Sequence, residues 1–492
     1  MSTVEGSKTE MTVGAPKSLE PEQVSGLTDL DAEALARVLH AAVDVVVAGY
    51  ADTESRPVFP SIEPGTLGAL FPASAPEGPE PLATILADHR ALIEPNATQW
   101  QHPGFMAYFP TSSSAAGVVG ELLMTALSQN TMLWRTSPIG TELEQVVVSW
   151  LRQAFGLPQA FDGFLTDTAS TSSLIALGAA REAAGLDAAA LGLAGRPDLG
   201  APRIYVSQEA HSSIEKAAMT LGIGRANVVR IPTDYEFRMR ADDLAAAIDA
   251  DLVAGYRPIA IVATLGTTSS TSMDPIGPIA EIAEREGIWL HVDAAYAGVV
   301  AMLPERRADF AGWERADSIV VNPHKWLFSP IDASLLLTRR MDELRNAFSL
   351  VPEYLRTVDR TGTGRDVNEY TPQLGRRFRA LKLWVLLRWF GLEGLRRRIR
   401  HHIEQAATLA SWVDADQRFE RMAPVPFSTI CLRLALPQGA DESPEAYEAR
   451  LDVLNTTLLQ AVNDTGEVFL SHTRLHGRFV IRVALGQIRT ED

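Results

Sequence analysis

The sequence is short of cysteine, of positive charge and of long apolar runs, and each shortage removes a class of answer. One cysteine, Cys431, excludes a disulfide within the chain and gives no sign of an oxidising compartment, so a cytoplasmic location is expected. Lysine and arginine number 44 against 61 aspartates and glutamates, a formal net charge of −17. That field repels phosphate backbones and anionic lipid, which argues against nucleic acid and membrane surfaces as partners and for a small molecule or another protein. No uninterrupted run reaches the roughly eighteen apolar residues of a membrane helix, and no repeat is found at a period of about 20 to 50 residues. Residues 1–20 lack both the apolar segment of a secretory signal and a helical stripe, and read as a disordered tail.

What remains is an ordinary globular composition, 46% hydrophobic and 21% charged over 492 residues, with room for a large domain and smaller ones. Asp31 to Ala51 has apolar residues at helical spacing, with Asp31 as N-cap. The proline-rich stretch RPVFPSIEPGTLGALFPASAPEGPEP that follows is expected to be extended or looped. From about residue 114 helical stretches (VVGELLMTALS, TELEQVVVSWLRQAF) alternate with short apolar runs (RIYVSQ, NVVRIP, PIAIVATLGTT, IWLHVDAAY, SIVVNPHKW), the pattern of parallel strands buried on both faces. After about residue 380 come a basic helix, whose His401-His402 pair is expected to face solvent, and the alternating strands STICLRLAL and RFVIRVAL. The expected class is α/β with a mainly parallel central sheet. The divisions are a tail to residue 20, an N-terminal flap at 21–113, a large domain at 114–380 and a small α+β domain at 381–492.

In open α/β sheets ligands collect at the carboxyl ends of strands. There the sequence places Asp293, then Asn322, His324 and Lys325, then Thr267 and Thr268, with His211 just beyond another strand. Each has a plain structural reading: Asp293 as the cap of a following helix, Lys325 as a snorkelling surface lysine, His211 as a hydrogen-bonded structural histidine. Together they suit a cofactor that needs an amine and a carboxylate in one cleft. A lysine kept partly neutral forms a Schiff base with a carbonyl, and pyridoxal phosphate (PLP) is the cofactor that exploits this most widely. Asp293 would hold its ring nitrogen protonated. The hydroxyl-rich turn at Thr168, Ala169 and Ser170, leading into a helix, offers an anion site for its phosphate or, without a ligand, a simple N-cap cluster. Other motifs are weak: Gly222-Ile223-Gly224 lacks a third glycine, and no P-loop or HExxH occurs. No metal is assigned.

The ordered set HPGFMAYFPTSSS, TSPIGTELE, EAHSSIEKA, ATLGTT, HVDAAYAG, NPHKW and LGRRFRALKLW resembles the group II PLP-dependent decarboxylases, and within them the aromatic-L-amino-acid decarboxylase group, from about Leu30 to Arg489. The resemblance implies the fold of fold-type I PLP-dependent transferases and a homodimer with active sites at the interface, embraced by the N-terminal flap. It implies Lys325 as the Schiff-base lysine, Asp293 at the ring nitrogen and His211 stacked on the ring. It places Ala169, Ser170, Asn322 and His324 around the phosphate and lysine, and Thr268 and Ala295 along the ring. Trp100, Tyr108, Phe109, Pro110 and Thr111 would wall the substrate pocket. Met132 would stand where relatives often present an aromatic from the second subunit, and Gly375 where some phenol-selective relatives have serine. The reaction implied is decarboxylation of an aromatic L-amino acid to its amine. Relatives also continue beyond the terminal RTED into a last helix.

One departure matters. Counting back from LGRRF, Val367 occupies the place of the family's loop tyrosine, the proton donor to the carbanion. Tyr370 is the nearby phenol, either as a substitute donor presented by the glycine-rich TGTGRD or as a plain aromatic replacement. Relatives without that tyrosine admit oxygen and release an aromatic acetaldehyde, ammonia and peroxide, which makes an acetaldehyde synthase the alternative. An aminotransferase or a non-catalytic binding protein is more remote. An acidic substrate would call for a pocket arginine, and none is identified.

Overall fold

The computed structural model describes residues 14–350 and 364–491. The first thirteen residues of the expected tail, and the Thr361 to Thr363 part of the glycine-rich loop, lie outside it. The chain divides into two compact units, one of residues 1–105 with 461–469 and one of residues 106–460 with 470–492.

In the first unit the helix Ala32–Ala51 starts where expected: Asp31 accepts the Ala34 amide at 2.8 Å, which satisfies one of the unpaired donors of a helix N-terminus. Its 20 residues and mean hydropathy of 1.5 would allow it, by length and composition alone, to cross a membrane. Counting uninterrupted apolar runs passed over this, because Glu33, Arg37, His40 and Asp44 break the run without lowering the average below a membrane helix's range. The proline-rich stretch beyond it holds only short 3₁₀ turns. It is tied down by backbone bonds from Val58 to Gly466 and from Gln99 to Val58, both 2.8 Å.

The second unit is built on a seven-stranded sheet. Its strands are β1 (Asp162–Thr166), β2 (Pro202–Ser207), β3 (Val228–Ile231), β4 (Arg257–Thr264), β5 (Trp289–Asp293), β6 (Ser318–Val321) and β7 (Ser334–Thr338), in the order β1-β7-β6-β5-β4-β2-β3. Only β7 runs against its neighbours. The sheet is mainly parallel, as the alternation of helices and apolar runs predicts, and β4 to β6 read as continuous apolar runs because both faces are buried. A four-stranded antiparallel sheet follows, β10-β11-β9-β8, with β8 (Phe419–Arg421), β9 (Thr429–Leu434), β10 (Ser471–Leu475) and β11 (Arg478–Ala484). Before it runs the helix Arg379–Ala415, broken at Gly391, whose φ of 61 is left-handed. The expected solvent exposure of its histidine pair fails for His402: that ring is 2% exposed and accepts the Trp326 indole N–H at 2.9 Å. Burial brings its pKa down to about 4. The neighbouring arginines disguise the apolar stripe Leu395, Ile399, His402 and Ala406 that faces inward.

Candidate functional site

Strands β4, β5 and β6 end side by side, with Thr264 paired to Asp293 and Asp293 to Val320. Beyond their carboxyl ends lies a cavity of about 240 Å³. Its wall includes all ten residues assigned above to a cofactor: Thr168, Ala169, Ser170, His211, Thr268, Asp293, Ala295, Asn322, His324 and Lys325. Ser213, Thr264, Gly266 and Tyr296 complete it, with Phe109.

Each is placed by a local device. Thr168 caps the Ala169–Ala183 helix, accepting the Thr171 amide, so the first turn's remaining N–H groups and the positive helix end face an anion site. Asp293 accepts the Ala295 amide at 3.0 Å, which fixes the carboxylate in the manner of the simple cap reading while leaving it on the cavity wall. Gly266, at φ 91, makes the turn after β4; a Cβ there would lie 2.7 Å from that of Ala297. His211 Nδ1 accepts the Ser213 amide at 3.1 Å, which puts the proton of the neutral ring on Nε2. Burial lowers the His211 pKa against the opposing pull of Asp293, so this neutral form prevails near pH 7.

Lys325 sits in the turn after β6, its amide bonded to the Asn322 carbonyl at 3.0 Å. Its side chain keeps some surface toward the cavity, but protein surrounds it, and this loss of water lowers its pKa, opposed by Asp293 and assisted by Arg482. A lowered pKa is what a nucleophilic amine requires. The chain has only five lysines, a scarcity that itself marks Lys325. The other enclosed one, Lys382, is committed to Glu121 at 3.1 Å and the Pro330 carbonyl at 3.1 Å. His324, 4% exposed, accepts the Ala333 amide at Nδ1 and is held neutral by burial, its pKa down to about 3. Lys325 rests on stacked rings: its Nζ is 5.2 Å from the centre of Phe109, which lies 3.8 Å from Tyr296, which lies 4.8 Å from Trp326.

A second cavity of about 310 Å³ shares Phe109, His211, Thr268 and Lys325 with the first and adds Tyr108, Ser269, Ser471, His472, Thr473 and Arg482. Of the residues expected in a substrate wall, Tyr108 and Phe109 line it. Pro110, Thr111, Met132 and Gly375 are not on either wall. The segments carrying Met132 and Gly375 lie side by side instead, Thr131 bonding its amide to the Arg376 carbonyl and Asn130 accepting the Arg376 amide, both 3.0 Å. Trp100 belongs to the first unit, stacked 4.2 Å from Phe105. Tyr370 is packed in a core cluster with Phe164, ring centres 6.5 Å apart, and Val367 is 2% exposed in the same cluster. The reading that found no pocket arginine is corrected by Arg482, a charged residue inside an otherwise apolar strand, which was its one visible signal.

The donor set can be tested against PLP directly. Asn322 Oδ1 and Thr264 Oγ1 are buried on the cavity wall without hydrogen-bond partners among the described residues, an unusual cost for a folded protein. A ligand rich in donors and acceptors relieves it. With an amine, a carboxylate and a helix N-terminus on the same wall, the residues fit PLP. Fold and site together define a PLP-dependent enzyme of fold type I.

Comparison with known proteins agrees. Residues 64–435 match the pyridoxal-dependent decarboxylase conserved domain. The chain is 38% identical to phenylacetaldehyde synthase of Arabidopsis thaliana over 98% of this chain and 96% of that one. It is 38% identical to tyrosine decarboxylase 2 of Narcissus pseudonarcissus over 95% and 92%. The crystal structure of Oryza sativa TDC with PLP and tryptamine superposes with a TM-score of 0.89 at 34% identity, covering 95% of this chain and 96% of that one. The chain belongs to the pyridoxal-dependent decarboxylase family, and within it to the PLP-dependent aromatic amino acid decarboxylases.

Proposed function

We propose that the protein decarboxylates an aromatic L-amino acid of the phenylalanine, tyrosine, dopa and tryptophan class to its arylalkylamine and CO₂. The observation that carries this is the gathering of Lys325, Asp293 and His211 on one cavity wall beside a second cavity walled by Tyr108 and Phe109, aromatic surface that suits an aryl ring. When bound, PLP supplies an aldehyde that captures the amine and a ring that accepts the electron pair left by CO₂. Lys325, its pKa lowered by burial, would hold that aldehyde and take and return protons at Nζ. Asp293 would hold the ring nitrogen protonated. Thr168, Ala169 and Ser170 would bind the phosphate at the helix end, assisted by Asn322 and His324, while Thr268 and Ala295 would line the ring. His211 presents its Nε2–H to the incoming amino acid. The enclosed walls exclude water from the departing carboxylate. Trp100, Pro110, Thr111, Met132 and Gly375 remain assigned to the substrate wall as completed in a homodimer, whose partner would cover the exposed apolar face of the Ala115–Leu127 helix at Val118, Val119, Leu122 and Leu123. The lone cysteine supports a cytoplasmic home.

A second reading has its own support. Val367 has no acidic side-chain proton to donate and is buried in a core cluster, and a relative 38% identical is a phenylacetaldehyde synthase. If no phenol protonates the carbon that lost CO₂, oxygen and water convert the same substrate to an aromatic acetaldehyde, CO₂, ammonia and hydrogen peroxide. Incubating the holoenzyme with phenylalanine, tyrosine, dopa and tryptophan while assaying amine, aldehyde and peroxide together decides between them. Amine alone upholds the decarboxylase; peroxide and aldehyde equal to CO₂ establish the synthase. In the former case Tyr370→Phe tests the phenol: a shift of product toward aldehyde makes Tyr370 the proton donor, and an unchanged amine yield removes it from the proton path.

A further inference from the structure

Trp326, the residue after Lys325 in the short helix Pro323–Trp326, has a fully buried indole. Its Nε1–H donates to His402 Nδ1 at 2.9 Å, with the two ring planes 15° apart. His402 comes from the Arg379–Ala415 helix, where it interrupts the inward apolar stripe of Leu395, Ile399 and Ala406. Because Nδ1 accepts, the proton of this neutral ring is on Nε2. From Trp326 the contacts run to the site as a column of rings. Tyr296 lies 4.8 Å away at 6°, Phe109 is 3.8 Å beyond at 17°, and Lys325 Nζ is 5.2 Å from the centre of Phe109. Ser428 Oγ holds Tyr296 by its hydroxyl at 2.6 Å.

We infer that His402 is a positioning residue for the reaction: its bond to Trp326 sets the indole and, through Tyr296, the Phe109 ring that both cavities share, so that a substrate meets a fixed wall beside Lys325. For the identity of that substrate the inference rests on the decarboxylase reading above. His402 lines neither cavity and acts only through the rings in front of it.

Packing alone does not call for a histidine at this place. Phenylalanine would fill the same stripe without the cost of burying an imidazole, but it would leave the indole N–H unsatisfied inside the protein. The bond also has a direction that packing lacks. Stacked faces tolerate sliding and tilting, whereas an N–H···N bond fixes the indole within its own plane. Protein interiors are close-packed, so a displaced Trp326 displaces Tyr296, which has Ser428 at one end and Phe109 on its face. Phe109 is where the column reaches both cavities. A shift there is felt by the Lys325 amine and by a bound ligand alike.

The test compares three variants of the holoenzyme. His402→Phe keeps a flat ring and removes the acceptor, His402→Asn restores one, since its Oδ1 stands near the place of Nδ1, and Trp326→Phe removes the donor. The first readout is the dissociation constant of 3-phenylpropanoate from titration calorimetry, which needs no turnover. His402→Phe is expected to weaken it by about threefold or more, well inside the hundredfold that a misplaced group costs at a distance, and His402→Asn to recover it to within about twofold. In turnover His402→Phe should raise KM for the amino acid more than it lowers kcat. In the Trp326→Phe background neither His402 variant should add a further loss, because a residue that acts through one partner is silent once that partner is gone. An unchanged dissociation constant in His402→Phe overturns the inference. So does a His402→Asn variant as impaired as His402→Phe, which would make the loss one of packing, and so do losses that add to that of Trp326→Phe. Should His402→Phe not fold, His402→Asn in the Trp326→Phe background carries the test, and a further loss there overturns the inference. The decarboxylase reading fails separately, through absence of CO₂ from every aromatic amino acid, which the 3-phenylpropanoate comparison does not measure.

Discussion

The strands of the large sheet end in cavities at both edges, and the two differ in kind. At the amino ends of β4, β5 and β6 lies the larger, about 690 Å³, walled by Arg257, Arg315, Arg339, Arg340, Glu284 and Asp317 among others. Most of its charges are spent on one another: Arg315 pairs with Glu284 at 2.5 Å, and Arg339 and Arg340 share Asp317, each at 3.5 Å, while Arg257 donates to the Ala184 carbonyl. At the carboxyl ends the cavities are smaller, about 240 and 310 Å³, and their walls carry three of the buried groups without hydrogen-bond partners among the described residues, Thr264, Asn322 and Arg482. Volume therefore does not mark the site. The convergence of an amine, a carboxylate and a helix N-terminus on one wall does.

Breaking each end should give very different results. Lys325→Ala is expected to abolish turnover of every aromatic amino acid with the far-ultraviolet dichroism unchanged; residual turnover would remove Lys325 from the chemistry. Next in size is an acid effect on stability. His291, His324 and His402 are buried and neutral, with pKa values near 4, 3 and 4 against an ordinary 6.5. Since the unfolded chain binds protons that the folded one refuses, the stability these groups confer is full above pH 6.5 and is lost as pH falls toward 4 and then 3. His402→Phe should flatten the denaturation-midpoint profile over that window by up to about 1.4 kcal/mol per pH unit, and an unchanged slope would show that His402 titrates normally. Smallest is Arg315→Gln at the amino-end cavity, expected to cost under about 1 kcal/mol, because the pair is solvent-screened, and to leave kcat/KM as it was. A loss of turnover there would erase the contrast between the two edges.

Much of this was legible because buried parallel strands read as apolar runs, and a polar residue that ends such a run stands out. Asp293, Asn322, His324 and Lys325 were found that way. The antiparallel β7 and its neighbour β1 were not, since DGFLT and SLLLT lack flanking signals. Arg482 and His402 were misjudged for one shared reason. Alternation and charge suggest which side of an element meets water, but each lies on a side that meets protein, and that side is set by chain segments far away in sequence. Met132 and Gly375 were assigned by resemblance, and their segments adjoin each other away from both cavity walls.

The scarcity of lysine has an analytical consequence. Of the four lysines among the described residues, Lys17 and Lys216 are exposed, Lys382 is locked to Glu121, and Lys325 alone faces the cavity. Reduction of the loaded protein with borohydride should therefore leave one stable mass tag on one peptide. That gives a stoichiometric count of active sites per chain in a preparation before any substrate is chosen.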